Sequence, residues 1–216
     1  MQRSLFRNVL LFLAGLSLIL GISSFDRQIA ALFYEEGQFQ KGPYFDAMYY
    51  GALIPGWILC GLGVAALFTK KWVREGIFLI LVLAIGSGLV AHFILKEGWP
   101  RPRPKQVIEF GGQAEFHPLT SLKRRVGSYR SLPCGHATMG FYFIALVSIG
   151  RKWKSKSLIW TGILTAIFYG AFLSYNRMAQ GAHFFSDTLV SFFVMGLTAY
   201  LLTPILYYER ANAKTA

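Results

Sequence analysis

Six apolar runs set the pattern of this chain: 5–23, 47–68, 76–95, 137–149, 158–175 and 184–207. A helix needs about 20 such residues to cross the hydrocarbon of a bilayer, and five of the runs come close to that length. The fourth is shorter and completes a span only by borrowing 132–136 or 150–153. Lipid offers no partner to a backbone N–H or C=O, so runs of this kind are helices, and no stretch shows the period-two alternation of a barrel strand. The expected architecture is therefore all-α: a polytopic membrane protein with six transmembrane helices, folded as one domain over 1–216 around a helical-bundle core. The first run could also read as a signal peptide with Arg3 and Arg7 as its charged start. Its length, and the poor small-x-small pattern at Ile22-Ser23-Ser24-Phe25, favour an uncleaved helix.

Two stretches stand outside this pattern. Residues 26–39 mix Ile29, Leu32, Phe33 and Phe39 with charged positions, which fits either a short helix at the outer interface or an ordinary loop. Residues 97–133 form the long non-spanning stretch and hold Pro100, Pro102, Pro104, Pro118 and Pro133. Proline disfavours helix both at its own position and at the one before it, so the chain should leave the third span stiff and extended, with its arginines projecting.

Composition agrees: 54% of residues are hydrophobic and only 15% charged, a balance foreign to soluble domains. The net charge of +12 alone would suggest nucleic acid, but its distribution argues against that partner. With six spans both termini share a face, and eleven basic residues fall on each side of the membrane. Eight of the outer eleven lie in 96–130, where chemistry rather than topology accounts for them. Without those eight, the positive-inside bias puts both termini in the cytoplasm and the 96–130 face in the periplasm. Cys60 and Cys134 belong at different depths and do not suggest a disulfide, and no Cys/His spacing fits zinc.

The same parity brings three segments together. The end of the third span, the start of the fourth and the loop before the sixth must all lie on one face. They carry Lys96 and Arg103, then Cys134-Gly135-His136, then Arg177, His183 and Asp187. His183 and Asp187 are four apart at a helix start, a spacing that would let the carboxylate accept the Nδ1 proton and leave Nε2 nucleophilic. Singly, Asp187 is a helix-terminal carboxylate and His183 an interfacial side chain. Together they argue for function, since a charge at the centre of a membrane helix costs about 2.5–3.5 kcal/mol.

Lys96, Arg103 and Arg177 supply donors suited to phosphate oxygens, and Gly135 leaves a helix-start N–H open to an anion. Phosphoryl transfer with His183 as nucleophile and His136 as general acid and then base follows from this set. With no carboxylate cluster to hold Mg²⁺, the three cations would do the metal's work, and neither metal nor other cofactor is expected. Lys123, Arg124 and Arg125 read more simply as attraction to anionic headgroups.

The series Lys96-x6-Arg103-Pro104, Pro133-x-Gly135-His136 and Arg177-x5-His183-x3-Asp187 resembles the three-part signature of the type 2 phosphatidic acid phosphatases. That resemblance implies a helical core and metal-free catalysis through a phosphohistidine. Carried over by position, it makes His183 the nucleophile, Asp187 its orienting partner and His136 the general acid. Lys96, Arg103 and Arg177 would then hold the phosphate, with Cys134 and Gly135 beside it. Two positions depart from the pattern: Cys134 and Asn176 stand where the family usually has serine. A thiol is a weaker donor, so the contact at Cys134 should be feebler.

The stretches 134–141 and 177–187, with 26–34 and 99–104, look like the lipid A 4′-phosphatases of Gram-negative bacteria. The partners implied are the bilayer and a phosphorylated lipid within it, at the periplasmic face of the inner membrane. Undecaprenyl diphosphate and phosphatidylglycerol phosphate are rival substrates. A non-catalytic binder of anionic lipid is the rival of a different class, separated by whether His183→Ala abolishes turnover.

Overall fold

The computed structural model describes residues 13–121 and 129–207. Arg3 and Arg7, the headgroup candidates Lys123, Arg124 and Arg125, and the terminal Arg210 and Lys214 lie outside the described residues.

Four helices among the described residues are long and apolar enough to cross a membrane: α3 (Pro43–Leu67), α4 (Val73–Gly98), α6 (Lys156–Ala179) and α7 (Phe185–Tyr207). They answer to the second, third, fifth and sixth apolar runs. Residues 13–22 of the first run are helical (α1), and the fourth run is the helical rod α5 (135–152), broken by a tight 3-10 turn at Tyr142–Ile144. α3 is interrupted at 52–53, because Pro55 lacks the N–H that would continue the ladder back across the break. α4 changes winding along its length and is π-helical over Val82–Leu95, a geometry that recurs near functional sites. Ser155 starts α6 by accepting the N–H of Leu158 on its hydroxyl.

α5 runs at the centre, packed between α6, α7 and α4, with α3 laid against α4. Phe78, Val82, Ala137, Tyr142, Leu173 and Met195 fill this core. Small residues allow close crossings: a Cβ on Gly140 would sit 2.6 Å from the Cα of Gly170 on α6. Buried hydroxyls find partners, Tyr142 donating to the Leu79 carbonyl at 2.9 Å and Ser87 pairing with Thr138 at 2.7 Å. No more than a third of each apolar window is buried inside the protein. Trp57, Leu62, Phe93, Phe168 and Leu201 point outward, as a lipid-facing surface requires.

The end of the bundle at which α4 finishes is capped by a small layer. Of 26–39, Asp26–Ala31 is a short helix (α2), and the rest is a hairpin of β1 (Tyr34–Glu35) and β2 (Gln38–Phe39). Ala30, Phe39, Val107, Phe110 and Phe184 cluster beneath it. One expectation for the proline-rich stretch is overturned. Arg101 does not project but is fully buried, because two carboxylates and a serine receive it inside the cap.

Candidate active site

The end of α4, the start of α5 and the α6–α7 turn meet at one end of the bundle. A cavity of about 560 Å³ opens there, and Lys96, Arg103, Gly135, His136, Arg177 and His183 all line it. Lys96 comes from the last turn of α4. Arg103 follows on extended backbone, its N–H held by the Gln106 side chain at 2.9 Å. Gly135 opens α5 against His92, and a Cβ there would come within 2.8 Å of the imidazole and 3.6 Å of the Lys96 ammonium, so the site closes this tightly only around glycine. Arg177, near the end of α6, lies over the Tyr49 ring at 5.0 Å and donates to the Gln180 side chain, while its buried Nε has no protein partner. A phosphate oxygen would suit that donor.

His183 precedes α7 and is buried. Its Nδ1 lies 2.6 Å from the Ser131 carbonyl, which can only accept, so Nδ1 carries the proton and the neutral ring keeps its lone pair on Nε2. Asp187 does not take that proton directly: its Oδ2 is 3.8 Å from Nδ1. It accepts instead from Arg101 at 2.5 Å, from the Ser131 hydroxyl at 2.6 Å and from the Phe184 N–H at 2.8 Å. The carboxylate thus fixes Ser131, and Ser131 fixes the ring. Burial works against a charge on His183, but the Cys134 sulfur and the Asp187 carboxylate outweigh it and hold the imidazole above its usual pKa.

His136 donates Nε2–H to the Tyr49 carbonyl at 3.0 Å, its ring 4.7 Å from that of Tyr49. Cys134 is fully buried behind Gly135, with its N–H on the Asp187 carbonyl at 3.3 Å and its own carbonyl taking the Ser191 hydroxyl at 2.9 Å. Asn176 turns back into α6, its amide donating to the Phe172 carbonyl at 2.9 Å. Among the described residues no group of three or more His, Cys, Asp or Glu side chains could hold a metal ion.

Arg101 and Asp26 are the residues that sequence reasoning missed. The Arg101 guanidinium spans Asp187, the Ser186 hydroxyl at 2.9 Å and Asp26 at 2.7 Å, stacks 4.5 Å from the Phe184 ring centroid, and its backbone carbonyl accepts the Ser131 N–H at 2.9 Å. It therefore ties α2 and all three chemical segments into one unit. Burial alone would disfavour its charge, but Asp187 and Asp26 more than compensate and raise its pKa. A signal did exist: a Pro-Arg-Pro-Arg-Pro stretch with three residues per turn sends arginines two apart to different sides, so only one of the pair could face the phosphate.

Beyond the candidate site residues and Tyr49, Ser87 and His92, the cavity wall is apolar, with Leu53, Trp57, Ile80, Leu83 and Met139 of α3, α4 and α5 its largest side chains. A basic, histidine-bearing floor thus continues into a greasy cleft between spans.

Known proteins are similar to this chain in sequence and in fold. The lipid A 4′-phosphatase of Francisella tularensis subsp. novicida (strain U112) is 34% identical over 148 residues, and that of Rhizobium etli 31% identical over 147. Each alignment takes in 67% of this chain but only 64% and 55% of the relative, so the chain spans less than two thirds of the length of these curated relatives. The crystal structure of a transmembrane PAP2 type phosphatidylglycerolphosphate phosphatase from Bacillus subtilis superposes with a TM-score of 0.61 over 94% of this chain and 98% of that one, at 21% identity. That likeness shows a common fold. The sequence model of the PAP2 superfamily matches residues 77–211, more than half the chain and a stretch that holds every candidate catalytic and phosphate-binding residue, and the chain belongs to that superfamily.

Proposed function

We propose that this protein is a membrane lipid phosphatase that hydrolyses the 4′-phosphomonoester of lipid A at the periplasmic face of the inner membrane. The single observation that carries a lipid substrate is the continuity of the cavity. Lys96, Arg103 and Arg177 gather at one end, and an apolar wall between α3 and α4 follows directly. A phosphate can sit among the cations while an acyl chain stays in apolar surroundings. In this reading α1 and α5 complete six spans with α3, α4, α6 and α7, and both termini are cytoplasmic.

The reaction runs in two steps. His183 Nε2 attacks phosphorus as the P–O bond to the sugar breaks, and His136 gives its proton to the departing alkoxide. A phosphohistidine results. His136, now neutral, takes a proton from water, whose oxygen attacks phosphorus; the P–N bond breaks and inorganic phosphate leaves. Lys96, Arg103, Arg177 and the Gly135 N–H stabilise the charge that spreads over the equatorial oxygens. These groups need no metal, so EDTA should leave turnover intact, while vanadate, which mimics five-coordinate phosphorus, should inhibit it.

A phosphatidylglycerol phosphate substrate is the second reading, favoured by the Bacillus subtilis neighbour, whose fold covers 94% of this chain. Phosphate release separates the two. Wild type and His183→Ala are given bis-phosphorylated lipid A, phosphatidylglycerol phosphate, undecaprenyl diphosphate and phosphatidic acid in detergent. Release from lipid A that vanishes in the variant supports the proposal. Release from another lipid alone replaces the substrate, and full activity in His183→Ala rejects the mechanism.

A further inference from the structure

A second cavity, of about 660 Å³, adjoins the first, and Tyr49, Arg103 and Arg177 stand in the walls of both. Its remaining walls include the β1–β2 hairpin and the residues after it, the start of α3, the turn at Pro104–Gln106 and the end of α6. These walls are tied together: the Gln40 N–H bonds to the Ala179 carbonyl at 2.9 Å and the Lys105 N–H to that of Gly181 at 3.1 Å. Phe39 packs between Tyr34 and Phe110, with ring centroids 5.0 and 5.3 Å away. The hairpin is thus held in place on the catalytic end rather than hanging from it.

Charge distinguishes this cavity from an ordinary vestibule. Lys41 and Lys105 join Arg103 and Arg177 around it, with Asp46 the one carboxylate among its lining residues. Neither lysine forms an ion pair with a carboxylate among the described residues. Partial burial and then repulsion from Arg103, Arg177 and Lys41 depress the Lys105 pKa. Four cations gathered around one carboxylate are unfavourable until a further anion arrives. The amides of Gln38, Gln40 and Gln180 add donors and acceptors suited to hydroxyl-rich groups.

We propose that this second cavity is a headgroup subsite in which Lys41 and Lys105 bind a further phosphate carried by the same lipid whose first phosphate reacts at His183. The inference deepens the lipid phosphatase reading and rests on it. It assigns the substrate class: a sugar headgroup bearing two phosphates, spanning both cavities across the shared Arg103–Arg177 wall. A single-phosphate headgroup would leave the subsite empty.

The test compares bis-phosphorylated lipid A with the form carrying only the 4′-phosphate, in neutral detergent micelles so that no anionic bilayer lipid competes. Wild type should show about a tenfold higher kcat/KM on the doubly phosphorylated lipid, a preference expressed in KM. Lys41→Gln with Lys105→Gln should abolish that preference and leave kcat/KM on the single-phosphate lipid within about twofold, a range with no ion pair to lose. Lys41→Arg with Lys105→Arg should keep the preference. An equal loss on both lipids would assign the lysines to general attraction and overturn the subsite, as would an unchanged preference in the glutamine variant. A preference that appears only after anionic phospholipid is added would assign the cations to the bilayer, again against the proposal. If wild type releases nothing from either lipid, the lipid A reading falls and the subsite falls with it. His183-dependent release from both at equal kcat/KM removes the subsite alone.

Discussion

Each end of the α4–α5 pair buries a carboxylate against a cation, and the two ends do it differently. At the start of α4, Glu75 accepts from Lys152 at 2.6 Å and from the Trp153 indole at 3.0 Å through a single oxygen. Its other oxygen has no protein partner, and the Lys152 side chain keeps 22% of its surface exposed. At the opposite end Asp187 has both oxygens occupied, and Arg101 and Asp26 are sealed at 0% exposure. A partly wet pair of the first kind closes a helix joint and tolerates slack. A sealed network of the second kind is costly wherever a polar atom lacks a partner, as the Arg101 Nε does, and its many fixed contacts narrow the geometry it admits. The sealed network is the one that reaches the histidine.

The largest effect that would sharpen this contrast is loss of the histidine itself. His183→Ala should lower phosphate release by about 10³-fold or more, as expected when a nucleophile is removed from a unit that acts together. Trapping with vanadate should weaken in parallel. Residual turnover near the wild-type level would detach the sealed network from catalysis.

Next comes Arg101→Met, which leaves Asp26 and Asp187 buried with no cation between them. Breaking a buried pair from one side costs about 3–5 kcal/mol, so the thermal transition in detergent should drop clearly. Turnover should fall about 100-fold even well below that transition, on the scale of losing an aligned catalytic group. Arg101→Lys separates packing from positioning. A lysine restores charge but cannot serve Asp187, Ser186 and Asp26 in one plane, so it should recover stability more than turnover. Recovery of both together would make Arg101 a purely structural residue.

How far the sequence reached follows the same division. The second, third, fifth and sixth of the expected spans were legible because length and hydropathy suffice for a helix in lipid. The shared face was legible because it needs only counting. The link between His183 and Asp187 was not. Helical spacing puts residues four apart on one face, yet His183 precedes the first turn of α7, so Asp187 points to Ser131 and the Phe184 N–H instead. The true partner of Nδ1 is a backbone carbonyl, and a carbonyl belongs to every residue type. Asp26 lies 75 positions from Arg101, and nothing local announces their pairing. The hairpin escaped too, since strands of two residues carry no measurable period.

A smaller effect concerns Cys134, one of the two residues that stand where the family usually has serine. Its sulfur is the strongest influence raising the His183 pKa against burial. In the proposed mechanism the imidazole must be neutral to attack phosphorus, so turnover should rise as pH climbs through that pKa. Cys134→Ser removes the thiolate charge that favours the imidazolium, so it should lower the His183 pKa and move the acid limb of kcat/KM to lower pH. The maximal rate should change only severalfold, since the serine hydroxyl keeps a donor in place. A limb that stays where it is, or moves to higher pH, would show that the sulfur does not act on the nucleophile.

The smallest effect on turnover is expected at the other end. Glu75→Gln keeps a side chain of the same shape and retains an acceptor for the Trp153 indole, while Lys152 can extend its ammonium to water. Stability should fall by about 1 kcal/mol, the worth of one charge-assisted contact at a half-wet site. That corresponds to a transition lowered by about 2–4 °C for a chain of this size. Phosphate release and its pH profile should stay as in wild type, because the length of α4 separates Glu75 from Lys96. The informative quantity is the ratio of lost turnover to lost stability, small here and large for Arg101→Lys. Similar ratios at both ends would mean that the bundle transmits any loosening to His183, and that the sealed network owes its effect to rigidity shared by the whole protein.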